Sequence, residues 1–441
     1  MSYREVMSGE VVRWATVAIA ARMPVAAAPL ALVFLTRERP GGYALGAVLA
    51  AVYVIGEIVG APLLGMRMRP ERARPQLAAG LAVGALAFTA LGLLPDAPPV
   101  ALGALAFLAG AAPAAAPGGL RALLTGVVPE KAVAQALSVE SILTFGIWAV
   151  APAAVTGLAL GVSPPLPLVL AGVLMAASVA GLWMLPEGWR SDAGDRGGES
   201  MARILARAWP IFVTGAASLS MLALAELVLP ALLEQRGIGV GWAGPLLAGL
   251  AVGSAIGSFV YGLRTWPGRL RTQSMVLMFA VSGCLALVAV VPSVAWLLAV
   301  LGMAGVLQAG AMLTRNLSLR EVLPPSALAA GYSVMYAAVG AGYAASGSLA
   351  GGLLNVVSPS TAILAGVGLG VLLTVIGVLG EVKPLTPTDT KAATDTKAAT
   401  DTKAEAEAEA GGTEASAGSA GGGDRAERTP VCGGGDAERG L

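Results

Sequence analysis

The chain reads as an all-α membrane protein: twelve transmembrane helices in two pseudo-symmetric six-helix bundles. Composition is the first reason. Of 441 residues 56% are hydrophobic and only 12% charged, with a mean hydropathy of +0.76. A soluble chain of this length carries about twice that share of charge. An internal repeat is the second. The stretch GEIVGAPLLGMRMRPERAR, residues 56–74, returns as GSAIGSFVYGLRTWPGRLR, residues 253–271. Gly65, Arg67, Pro70, Arg72 and Arg74 recur as Gly262, Arg264, Pro267, Arg269 and Arg271, all shifted by 197 (271 − 74). Two further places keep a near-constant shift of 195: Trp14 with Trp209, and Pro129 and Ser138 with Pro324 and Ser333. A period of half a protein marks two related halves.

The third reason is the number of apolar runs long enough to cross a bilayer, which takes about 20 residues each. They fall near 14–35, 43–65, 77–94, 100–124, 132–160, 166–185, 209–233, 243–263, 274–291, 295–317, 328–354 and 361–379. Short links make sequence neighbours antiparallel. Several links carry Pro or Gly, as in Arg39-Pro40-Gly41-Gly42, Asp96-Ala97-Pro98-Pro99 and Ser163-Pro164-Pro165. The first run has no small-residue cleavage site after it and is expected to stay as a helix. Glycines one turn apart at 56 and 60, and at 253 and 257, let membrane helices approach closely.

Basic residues set the expected orientation. One side receives Arg4, Arg13, the four arginines of 67–74, Arg121, Lys131, Arg190, Arg196, Arg203, Arg207, Arg264, Arg269, Arg271, Arg315, Arg320 and Lys383. The other receives Arg37, Arg39 and Arg236. That bias places both termini in the cytoplasm and the chain in the cytoplasmic membrane. The expected division is a first bundle over 1–186, a central cytoplasmic loop over 187–208, a second bundle over 209–382 and a disordered tail over 383–441. Within the central loop Met201 to Ala208 reads either as a short amphipathic helix or as a plain linker. The tail repeats Thr-Asp-Thr-Lys-Ala-Ala and lacks apolar residues to bury.

Charges inside a bilayer are costly, and each is a functional candidate. Arg22, Glu57 and Glu140 each lie about eight residues from the cytoplasmic end of their helix, and Arg121 sits nearby. Two arginines and two glutamates at one depth can neutralise one another. A fixed ion-pair lock and a network that breaks and re-forms while a Glu takes up a proton both remain open. Glu226 is the acid well inside the seventh run, a candidate for substrate or proton binding or for local packing, with Arg236 as a potential partner. Gln308 is a polar group at depth. Arg315 and Arg320 lie near the cytoplasmic end of the tenth run, where both could snorkel to the interface, the reading preferred for Arg320. Tyr332, Tyr336 and Tyr343 lie close to one helix face, a packing stripe or the wall of a cavity for flat organic molecules.

The sequence carries no phosphate-cradling G-x-x-x-x-G-K-[ST], no G-x-S-x-G, no H-E-x-x-H, no C-x-x-C and no histidine. No enzyme activity, cofactor or metal is expected. Uphill movement of a solute would then draw on an ion gradient. The two cysteines, Cys284 and Cys432, make no disulfide framework.

Across residues 14–379 the chain resembles the major facilitator superfamily. The resemblance rests on two six-helix halves, a polar central loop, and the loop Gly65-Met66-Arg67-Met68-Arg69-Pro70-Glu71-Arg72-Ala73-Arg74, similar to the family signature G-x-x-x-D-R-x-G-R-R. Arg69 stands where the family has aspartate, and Glu71 is the candidate replacement at the cytoplasmic gate. Pro152, with Gly146 before it and Gly157 after, resembles the family's antiporter motif and leans towards export. The resemblance implies a midplane site between the halves, with Arg22, Glu226 and Gln308 at or near it, and alternating access by rocking. The expected partners are the bilayer, a small-molecule substrate and protons, with no nucleic acid and a monomeric chain. Small-metabolite uptake is one alternative. A non-transporting membrane sensor acting through the tail is another, and deletion of the tail separates it, since a transporter should not need that segment.

Overall fold

The computed structural model describes residues 8–39, 42–189, 199–264 and 266–381. Arg4, Arg190, Arg196, Lys383, the polar centre of the 187–208 loop and the whole 383–441 tail lie outside the described residues. Among the described residues all regular structure is helical, and there are fourteen α-helices. The first seven are α1 (Gly9–Thr36), α2 (Gly42–Arg67), α3 (Ala73–Leu93), α4 (Pro99–Ala111), α5 (Ala116–Val127), α6 (Val133–Gly161) and α7 (Leu166–Leu182). After the short α8 (Met201–Arg207) come α9 (Trp209–Gln235), α10 (Ala243–Leu263), α11 (Leu270–Val290), α12 (Val294–Val322), α13 (Leu328–Leu354) and α14 (Pro359–Gly380).

Ten of the described helices are long and apolar enough to cross a membrane, counting α4 and α5 as one span from Pro99 to Val127. The shorter apolar α7, with 17 residues, and the Gly-, Ser- and Tyr-rich α13, with 27, lie at the other two positions where the sequence places spans. The break between α4 and α5 departs from the single helix expected over 100–124. Pro113 and Pro117 cause it. Neither ring nitrogen can donate to the preceding turn, and each ring crowds the carbonyl four residues back. The chain crosses the break through a turn in which Ala116 N–H donates to the Pro113 carbonyl at 2.8 Å. Gln308 occupies the position of Pro113 in the repeat, and α12 runs unbroken.

The repeat is visible in packing. A Cβ on Gly56 would meet the Phe107 carbonyl oxygen at 2.5 Å, and one on Gly60 would lie closer still to the Ala111 carbonyl. In the second half Gly253 and Gly257 abut the carbonyls of Gly302 and Val306 in the same way. These partners are themselves 195 positions on (302 − 107 and 306 − 111). Glycine is required at all four positions because backbone, which cannot rotate aside, fills the space a side chain would need. The α2–α4 contact is thus repeated as α10–α12.

The basic loops also repeat. After α2, Gln76 accepts from Arg69 N–H at 2.8 Å and donates to the Arg67 carbonyl at 3.1 Å. After α10, Gln273, shifted by 197 (273 − 76), donates to the Trp266, Pro267 and Gly268 carbonyls. Arg74 donates to the Leu185 carbonyl and pairs with Glu187 at 3.8 Å. Arg271 donates to the Val378 carbonyl at 3.0 Å and pairs with Glu381 at 3.5 Å. Each loop is thereby tied to the end of the last helix of its own half.

The described helices all belong to one compact unit, Met1–Val382. One apolar cluster fills the space among α1–α7 and continues through Leu319, Leu323, Ala327 and Met335 of the second half. Another fills α9–α14. The two halves therefore meet where α12 ends and α13 begins, at the end that carries the arginine loops. Burial along α6 and α13 shows the same thing. Residues 328–333 of α13 are buried on every side, whereas beyond Tyr343 only Ser346 and Ala350 are. In α6 burial narrows past Gly146 to the single row Ile147, Ala151, Val155 and Ala159. The halves are closed together at the arginine-loop end and part towards the other. The short α8 is amphipathic, with Ile204 and Leu205 buried and Arg203 and Arg207 exposed.

Candidate functional site

Arg22 of α1, Arg121 of α5 and Glu140 of α6 come together. Arg22 Nη1 lies 2.6 Å and Arg121 Nη2 2.7 Å from the same oxygen, Glu140 Oε1. The carboxylate is 1% exposed. Arg22 also donates to Thr144 Oγ1 at 2.9 Å and to the Pro117 carbonyl at 3.3 Å. Pro117 lies in the first turn of α5, so the N-terminal end of that helix supplies a backbone ligand to Arg22. Aromatic faces cover both cations: Trp14 lies 5.9 Å from the Arg22 guanidinium and Tyr332 lies 5.4 Å from that of Arg121. The shared depth of these three residues is thus matched by contact.

Glu57 departs from that expectation. It is not part of the arginine cluster: Oε1 accepts from Tyr53 OH at 3.3 Å and from Tyr336 OH at 3.2 Å. Depth along the helix was the same, but azimuth was not, because the Glu57 face of α2 packs on α13. The tyrosine stripe divides accordingly. Tyr336 holds Glu57, Tyr332 covers Arg121, and Tyr343 is exposed.

Two contacts carry this site across to the second half. Arg121 Nη1 donates to Asn316 Oδ1 at 3.1 Å, and Tyr336 OH donates to Glu57. Arg320 donates to the Thr125 carbonyl at 3.2 Å, Trp189 to the Pro325 carbonyl at 2.7 Å, and Ser138 to the Ser258 carbonyl. Arg121 and Asn316 are equivalent in the repeat (316 − 121 = 195), as are Thr125 and Arg320 (320 − 125 = 195). A residue that touches its own equivalent lies at the pseudo-twofold axis. The charged cluster is therefore on that axis.

Glu226 has no hydrogen bond or ion pair among the described residues. Arg236 does not bend back to it and instead donates to the carbonyls of Val288, Ala289 and Val291. Gln308 accepts from Ser218 Oγ at 2.9 Å, and its Nε2 is buried without a partner. Arg315 does not snorkel. It is 1% exposed, donates to Thr214 Oγ1 at 3.1 Å and pairs with Glu381 at 2.6 Å, and Glu381 also meets Arg271. Arg67, Arg69, Glu71, Arg72, Arg264 and Arg269 are exposed, and Gly65 and Gly262 are buried. Sequence reading missed Thr144, Asn316, Gln76, Gln273 and Glu381. The 197 shift that links Gln76 to Gln273 was a usable signal, and so was the 195 shift that puts Asn316 opposite Arg121.

No family model matches the chain, and no curated protein matches it in sequence. Solved structures do. A bacterial homologue of the iron transporter ferroportin in its outward-facing state superposes with a TM-score of 0.67, at 16% identity, over 85% of this chain and all of that one. The human organic anion transporter MFSD10 (TETRAN) gives 0.64 at 13% identity, over 86% of this chain and 100% of the other. The E. coli fucose:proton symporter FucP gives 0.63 at 14% identity, over 85% and 99%. FucP and the proton:xylose symporter XylE are major facilitator superfamily proteins. The chain has the fold of that superfamily, a multi-pass membrane architecture.

Proposed function

We propose that the chain is a secondary transporter that carries a small organic molecule across the cytoplasmic membrane by alternating access. The observation that carries this reading is the way the halves are joined. Half-buried charged groups of the first half, Arg121 and Glu57, are held by neutral partners of the second, Asn316 and Tyr336. Neutral partners are released at lower cost than opposite charges in a dry place. Rocking of the halves breaks these bonds and leaves the Arg22–Glu140 pair, which lies within the first half, intact. The tethered loops with Gly65, Arg67, Arg72, Arg74, Gly262, Arg264, Arg269 and Arg271 act as the cytoplasmic gate. Glu226 and Gln308 contribute free polar groups to substrate or proton binding. Both bundles, 1–186 and 209–382, move about the central loop.

Protons are the proposed coupling ion, with Glu57 as the carrier. Its carboxyl meets tyrosine hydroxyls and no arginine, so a proton is taken or lost without breaking an ion pair. Export in exchange for protons is the proposed direction, towards which the Pro152 motif leans. The test is transport in proteoliposomes under an imposed pH gradient. Glu57→Gln should lose the pH dependence, while Glu140→Gln should lose activity at every pH. Full pH-dependent transport in both variants would remove the coupling reading and leave the Arg22–Glu140 pair as a lock.

A further inference from the structure

The central cluster is unbalanced. Two guanidiniums share one carboxylate, and they share one oxygen of it. The charged groups that face Glu140 are Arg22 and Arg121, and the ionisable groups that face Arg121 besides Glu140 are the tyrosines Tyr332 and Tyr336. Glu57 is bonded to tyrosines and makes no ion pair with either arginine, and Asn316 is neutral, so while Glu57 holds its proton the cluster carries one surplus positive charge. A surplus positive charge deep in a bilayer costs several kcal/mol unless an anion joins it. Donors are spare as well. Arg22 Nε and Arg121 Nε are buried without a partner, and Arg121 still has 15% of its side chain exposed. Tyr332 OH, beside Arg121, is buried and unpartnered too.

Resting on the transport reading, we infer that the substrate is an organic anion, and that its carboxylate completes the charge balance of Arg22 and Arg121 at the pseudo-twofold axis. A planar carboxylate accepts from the guanidinium fork and brings a charge that a neutral group lacks, and the rings of Trp14 and Tyr332 lie over the two cations. Binding competes with the Arg121–Asn316 bond that joins the halves. The anion thereby loosens the closed end when it arrives, which links occupancy to rocking.

The test uses the full-length chain in lipid nanodiscs and three matched pairs of probes: benzoate and hexanoate, benzamide and hexanamide, benzylamine and hexylamine. Carboxylates should bind and raise the unfolding temperature, and amides and amines should not. Asn316→Asp is nearly isosteric and places the missing negative charge beside Arg121, so it should weaken carboxylate binding about tenfold or more. Glu140→Gln removes the internal competitor and should tighten it. The inference is overturned if no carboxylate binds, if amides or amines bind as well, or if Asn316→Asp leaves carboxylate affinity unchanged. Proteoliposomes separate the two readings. Carboxylates that bind but are not carried would end the transport reading and keep the anion site. Amines that are carried would keep transport and end the anion site.

Discussion

At the scale of single residues, Arg315 is the most exacting case. It is buried to 1% exposure, and its charge is met by Glu381 alone among the described acids. Glu381→Gln would leave a buried guanidinium without its counter-charge, a loss of about 3 kcal/mol or more. Thermal unfolding of the purified protein in detergent should register it, whereas Arg37→Gln, at an exposed pair, should move the transition little. The sequence left the surroundings of Arg315 open because only distance along the helix was legible. Which helix packs beside which decided the rest. Arg22, Arg121 and Glu140 were found by depth because their helices are neighbours. Glu57 was grouped with them wrongly because a depth carries no information on azimuth. Arg236, half a helix from Glu226 in sequence, turned to the free carbonyls at the end of α11, which it satisfies three at a time.

At the scale of elements, close backbone approach is what holds α2 to α4 and α10 to α12. Gly257→Val would drive a branched side chain into the Val306 carbonyl and should lower stability by about 1–3 kcal/mol, or force the helices apart. The comparison that checks it is Gly283→Val, where a Cβ meets nothing within 4 Å. The first should lower the unfolding temperature and the second should not. Glycine spacing made both contacts readable from the sequence, since small residues a turn apart have few other uses in a membrane helix. The break between α4 and α5 was less readable. Pro113 and Pro117 were in view, but prolines also sit inside α1, α2, α6 and α9 without ending them. Even two prolines, Pro24 and Pro29, leave α1 unbroken, so proline content alone did not mark the break.

At the scale of the whole molecule, the closed end is held by polar bonds between the halves, two of which, Arg121 with Asn316 and Arg320 with Thr125, join equivalent positions. Thr125→Cys with Arg320→Cys, in a chain whose Cys284 and Cys432 are replaced by serine, places thiols on the two sides of that end. A bifunctional thiol-disulfide linker across them should stop transport, and reduction should restore it. Linked protein that still transports would show that the halves do not separate there. Pseudo-symmetry was legible because a constant shift survives divergence, whereas the meeting of Arg121 with Asn316 was not, since a repeat shows which residues correspond and not which ones touch. That meeting has a consequence for how such a site comes to exist. Two separate copies of a half-length chain, paired about a true axis, must present the same side chain to each other at the axis. Two arginines there would repel, and two asparagines would carry no charge. Joining the copies in one polypeptide frees the central position to hold a cation on one side and an amide on the other, so a single net charge can sit on the axis of an otherwise duplicated body.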